Sequence, residues 1–112
     1  MSVSAPFTPT GNTVMVTGAV TPPTPVQVSS STLGGNQYRI INNGSVTAFI
    51  GFGKTAAEAT TNATVPTGGS PTKAIPALAG TIEILSFPPN AYVTVATLSS
   101  TATVYVTCGD GD

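Results

Sequence analysis

Histidine and tryptophan are absent from this chain, cysteine occurs once, and charged side chains occupy only 6% of its 112 positions. Each scarcity excludes something. Without histidine, the commonest general base and the commonest metal ligand are missing. Cys108 alone can form neither an intramolecular disulfide nor a cysteine-cluster zinc site. The basic residues Arg39, Lys54 and Lys73 are scattered and outweighed by four acids, for a net charge of −1. That leaves no basic footprint for nucleic acid. No run approaches the roughly 18 apolar residues of a membrane span, and Met1 to Phe7 has neither a basic start nor an apolar core of the secretory type. The expectation is a chain with no cofactor, no nucleic acid partner and no membrane.

What is present is a Thr-, Ser-, Ala- and Val-rich sequence, 40% hydrophobic, with a mean hydropathy of +0.29. A chain of this length forms one domain and can bury a core without disulfides or metal. Mixed surface charge normally keeps small folded proteins apart. With so little of it, a permanent partner is expected.

The hydrophobic period is two almost throughout. Ala102, Val104, Val106 and Cys108 alternate with Thr103, Tyr105 and Thr107, which predicts a half-buried strand. Tyr92 to Thr97 is rich in β-branched residues, and the short link 98–101 predicts a hairpin between the two. Thr81 to Phe87 predicts another strand, stopped by Pro88-Pro89-Asn90. Gln37 to Ile41 and Val46 to Phe52 flank Asn42-Asn43-Gly44-Ser45, whose Asn-Gly pair predicts a tight hairpin. Val14 to Val16 and Val26 to Ser29 suggest two shorter strands, separated by Gly18 to Pro25 with its extended Pro22-Pro23-Thr24-Pro25 run. Residues 54–80 are punctuated by Pro66, Gly68, Gly69, Pro71, Pro76 and Gly80; they predict a long excursion with one short strand and one helical turn at Ala56 to Thr61. The fold class is therefore all-β: an antiparallel β-sandwich, jelly-roll-like, over residues 13–112, with an extended N-terminal arm at residues 1–12.

Motifs that could carry chemistry have simpler readings. Glu58 and Glu83 are the only internal acid pair for glycoside hydrolysis. A loop charge and a solvent-facing strand residue between Ile82 and Ile84 explain them. Ala48 to Thr55 imitates a phosphate loop, yet Phe49, Ile50 and Phe52 continue a strand and no long helix follows. Gly109-Asp110-Gly111-Asp112 is too short of ligands for calcium and reads as a solubilising tail. Asn43-Gly44-Ser45 and Asn62-Ala63-Thr64 read as turns rather than glycosylation sites. Cys108, in phase with Val104 and Val106, reads as a core thiol. Tyr38, Phe52 and Phe87 also read as core. Tyr105 lies on the opposite face with Thr103 and Thr107, where another subunit would cover it.

Tyr38-Arg39-Ile40-Ile41-Asn42-Asn43-Gly44-Ser45, running into Phe49-Ile50-Gly51-Phe52-Gly53, resembles small structural proteins of tailed bacteriophages. So do Pro76-Ala77-Leu78-Ala79-Gly80 and the closing Thr101 to Thr107 strand, so that the likeness covers roughly residues 37–109. It implies a head decoration, or cement, protein on the capsid exterior, made in the host cytoplasm, binding the major capsid protein and associating with itself, as a homotrimer. Pro6, Phe7 and Pro9 of the arm, Pro22, Pro23 and Pro25, and Tyr105 are the expected contact residues. The alternative is a receptor- or carbohydrate-binding module of a tail or fibre. Such a module would normally offer aromatic platforms, and the missing tryptophan disfavours it.

Overall fold

Among the described residues, short runs of β-branched and aromatic residues, interrupted by proline and by Asn and Gly clusters, form eight strands and one helix. They are β1 (Thr8–Gly18), β2 (Val26–Gln27), β3 (Gln37–Asn42), β4 (Ala48–Gly53), α1 (Ala56–Asn62), β5 (Ile75–Ala77), β6 (Ile82–Ser86), β7 (Tyr92–Ala96) and β8 (Ala102–Asp110). The structure, a computed structural model, describes residues 8–28 and 36–110.

Two antiparallel four-stranded sheets, ordered β1-β8-β3-β6 and β2-β7-β4-β5, face each other. The pairs β1 with β8, β2 with β7, β3 with β6 and β4 with β5 are nested. The topology is that of one long hairpin rolled up until β8 also meets β3 and β7 also meets β4. This is jelly-roll connectivity. Between the sheets lie Val16, Ile40, Ile50, Val93, Val95, Val104 and Val106, all essentially inaccessible. Cys108 is buried among them as a free thiol.

Tyr38 belongs to this core and ties one end of the sandwich. Its ring lies 5.1 Å from that of Phe52, which lies 5.6 Å from that of Phe87. Its hydroxyl donates to the Pro88 carbonyl at 2.8 Å and accepts from the Ala91 amide at 3.1 Å, fixing the turn between β6 and β7. Burial pushes the phenol above its ordinary value; the Ala91 hydrogen bond opposes this and the Cys108 thiol adds to it. An acid whose folded pKa is raised stabilises the fold fully below its unfolded pKa, about 10, and loses that contribution as pH rises through the folded value. Tyr38→Phe should cost about 1–3 kcal/mol at neutral pH, because the buried Ala91 amide and the part-buried Pro88 carbonyl lose their partner. Urea unfolding followed from pH 8 to 11 should show the wild type losing more stability at the alkaline end than the variant.

Both expected hairpins are corrected. β3 and β4 lie in different sheets, as do β7 and β8, so residues 43–47 and 97–101 are crossings between layers. The Asn43-Gly44 pair makes no positive-φ hairpin turn. Asn42 is fully buried, its amide donating to the Val46 and Ala77 carbonyls at 2.9 Å each, while its Oδ1 accepts from Gly44 N–H at 2.9 Å. Those bonds steer the chain from one sheet into the other. Gly44 is needed for space, since a Cβ there would stand 2.8 Å from Ala102 Cα. At the other crossing the Thr97 hydroxyl donates to the Ser100 carbonyl at 2.8 Å.

The arm boundary also moves. From Thr8 the chain is already β1, paired along β8 from Thr8 opposite Asp110 to Gly18 opposite Ala102, with a register shift between Pro9 and Thr13. Removing residues 1–12 would therefore cut into a sheet. Residues 1–7 lie outside the described residues. At the other end β8 continues through Gly109 to Asp110, so these two residues of the expected tail are strand; residues 111 and 112 are outside the described residues.

Candidate interaction surface

The two outer faces of the sandwich differ. On the β2-β7-β4-β5 sheet, the outward positions Gly51, Gly53, Thr94 and Ala96 are covered. α1 lies directly on the glycines: a Cβ on Gly51 would fall 2.4 Å from Ala63 N, and one on Gly53 would fall 2.4 Å from Ala59 N. The helix starts at the N-cap Thr55, whose hydroxyl accepts from Glu58 N–H, while the Glu58 carboxylate accepts from Lys54 N–H. The Asn62 amide then pins the last turn to the Phe52 carbonyl at 2.6 Å. The phosphate-loop imitation at residues 48–55 is thus a strand that stops in a helix cap, with glycines placed where the helix backbone touches the sheet. Glu58 is helical rather than a loop charge. It belongs to one layer, whereas Glu83 lies on β6 at an edge of the other sheet.

The segment 18–25 covers a further part of this face. Thr94 is buried and its hydroxyl donates to the Pro23 carbonyl at 2.8 Å. Pro22, Pro23 and Pro25 are partly buried, their surfaces shared between contact with the domain and solvent. Between this segment and the end of α1 runs an open groove of about 440 Å³, lined by Val20, Pro22, Ala63, Val65, Ala96 and Leu98 with three threonines. It contains no charged group.

Among the described residues, no element lies over the outer face of the β1-β8-β3-β6 sheet. Register sets Met15 beside Tyr105, Tyr105 beside Ile41 and Ile41 beside Ile82, so four apolar side chains cross all four strands in one row. Met15 and Ile82 are 59% and 54% exposed; Tyr105 and Ile41 are half-buried by their neighbours. The next row reads Thr13, Thr107, Arg39 and Ile84, with the Thr13 and Thr107 hydroxyls hydrogen-bonded at 2.6 Å. Arg39 is the one charge within these two rows.

Of the expected contact residues, Tyr105 stands in the middle of this row. Pro9 is exposed in β1 opposite Gly109, at the far end of the same sheet. Pro22 lines the groove on the opposite face, and Pro23 and Pro25 flank it, so the structure does not bring the prolines and Tyr105 to one site. Pro6 and Phe7 lie outside the described residues. Sequence reasoning missed Met15, Ile41 and Ile82. It also placed Ile82 and Ile84 inward and Glu83 outward, whereas register sets Glu83 opposite the buried Ile40 and the two isoleucines on the outer face. Glu83 reaches solvent because β6 is an edge strand.

Among the described residues no three metal-ligating side chains come together, and no helix is long and apolar enough to cross a membrane. In comparisons with known proteins, no family model, no curated protein and no solved structure matches this chain.

Proposed function

We propose that this chain is a non-enzymatic capsid decoration, or cement, protein that sits on the exterior of a virion, binds the major capsid protein shell and stabilises it. The supporting observation is the bare row Met15, Tyr105, Ile41 and Ile82 on the outer face of the β1-β8-β3-β6 sheet. The opposite face is partly covered by the chain's own helix and by the segment 18–25, with a groove between them, whereas no described element lies over this row. A flat, threonine-rich surface with an apolar centre and a central tyrosine has the make-up of a protein interface, in which a few aromatic anchors carry most of the energy. Jelly rolls serve in capsids and in lectins alike, so fold by itself does not choose between these roles. The apolar row favours contact with protein over contact with a sugar.

Shells lacking the protein provide the binding test. Tyr105→Ala should weaken attachment about 30-fold or more, the effect of losing a central aromatic anchor. Leu98→Ala, in the groove on the other face, should leave attachment unchanged. Equal binding by Tyr105→Ala and wild type would remove the outer face from the interaction.

A further inference from the structure

Each sheet has two edges, and an edge strand offers unpaired N–H and C=O groups to any chain that can align with it. Three of the four edges here are blunted. β2 has two residues and follows Pro25; β5 has three and contains Pro76, which has no N–H to give; β6 has five and carries the exposed charge of Glu83. Short strands, proline and charge are the devices by which edges avoid pairing. β1 is different. It is the longest strand at 11 residues and contains no charged residue. Its proline and register shift lie before Thr13, which leaves Thr13–Gly18 regular. Among the described residues, no other strand pairs with its outer side.

The inner face of that edge is apolar, and the outer face carries Met15 between Thr13 and Thr17. Val14, partly buried, packs against the core at its rim, and Met15 is exposed on the outer face. An added strand would cover Val14 from the side and extend the Met15, Tyr105, Ile41 and Ile82 row.

We infer that the 13–18 stretch of β1 pairs antiparallel with the same stretch of a second copy of this chain, joining two β1-β8-β3-β6 sheets into one continuous eight-stranded sheet. A partner strand must itself be an unprotected edge of matching length, and a second β1 meets that requirement. The pair is two-fold and closes on itself, giving a dimer in place of the trimer expected from sequence. The two outer faces become a single surface twice as wide. This pairing does not depend on what that surface binds.

Sedimentation equilibrium of the full chain should give twice the 11.1 kDa chain mass. Met15→Lys combined with Thr17→Lys places like charges along the seam at exposed positions and should weaken association at least about 100-fold, with the β circular dichroism signal retained. Ile82→Lys, on the opposite edge, should leave the dimer intact. A second measurement uses single cysteines at positions 13 to 17 in turn. A two-fold antiparallel pair sets one of these five opposite its own copy at about 4.5–5.5 Å between Cα atoms, within disulfide range. One variant should therefore cross-link under mild oxidation. A monomeric or trimeric wild type, a dimer that survives the lysine pair, or the absence of any cross-link across the five positions would each overturn the pairing.

Discussion

Gly51→Ala is expected to destabilise the protein by about 3 kcal/mol or more, at the upper end of what overpacking usually costs. The new methyl group would meet the Ala63 nitrogen at 2.4 Å, the Ala59 carbonyl oxygen at 2.6 Å and the Ala63 Cα at 2.6 Å. These are backbone atoms of the helix and its C-cap, so no side chain can rotate away and α1 must lift from β4. Gly53→Ala meets the first turn in the same way, at Ala59 N and Glu58 Cβ. Because one helix makes both contacts, the double variant should cost less than the sum of the single ones. Gly68→Ala is the control: nothing lies within 4 Å of a Cβ there, and the change should be neutral or slightly stabilising. Thermal unfolding checks all four variants. For a domain of this size a loss of about 3 kcal/mol lowers Tm by roughly 10–20 °C.

Asn42→Leu should cost a similar amount, about 3–5 kcal/mol, for a different reason. The Val46 and Ala77 carbonyls each lose a donor and Gly44 N–H loses its acceptor, and each buried group left alone costs about 1–3 kcal/mol. Asn42→Asp keeps the shape and the acceptor but turns a carboxylate towards two carbonyls. Burial and those neighbours raise the carboxyl pKa in the folded state. A group with a raised folded pKa contributes its stability at low pH and loses it as pH rises through the folded value. The Asp variant should therefore be least stable at neutral pH and recover part of the loss on acidification, when one O–H can donate again. Urea midpoints at pH 4 and pH 7 would show it. Asn42→Leu has no carboxyl at this site and should lack that recovery.

Those two sites show where sequence reading succeeds and where it stops. Alternation from Ala102 to Cys108 was legible because β8 is central in its sheet, with one face on the core, so its buried positions follow the period of two. The same rule misplaced Ile82 and Ile84, because β6 is an edge strand whose inward positions are Glu83 and Leu85, so that a charge shares the core-side face. The Asn43-Gly44 pair pointed to a hairpin, since nothing local reveals that Asn42 is bonded to Ala77, 35 residues away, or that Gly44 touches Ala102. Class and the jelly-roll expectation survive such errors; the pairing of strands adjacent in sequence does not.

The candidate interaction surface was legible in one residue. Tyr105 stood out because it interrupts a threonine face. Its companions Met15, Ile41 and Ile82 join it only through the pairing of strands distant in sequence, and each alone looks like an ordinary hydrophobic residue in a strand. Sequence reading set aside the phosphate-loop likeness of residues 48–55 but left the glycines 51 and 53 unexplained; they mark close approach of a helix backbone. In the segment 18–25, expected to be a contact surface, the Pro23 carbonyl accepts from the Thr94 hydroxyl, which ties part of it to β7.

Decoration of a capsid is tested most directly by the copy number of this chain in purified virions from its source, measured by quantitative mass spectrometry against the most abundant shell protein. A decoration protein bound across the shell should be present at a ratio approaching that of the shell protein. A few copies per particle, or none, would contradict the proposal.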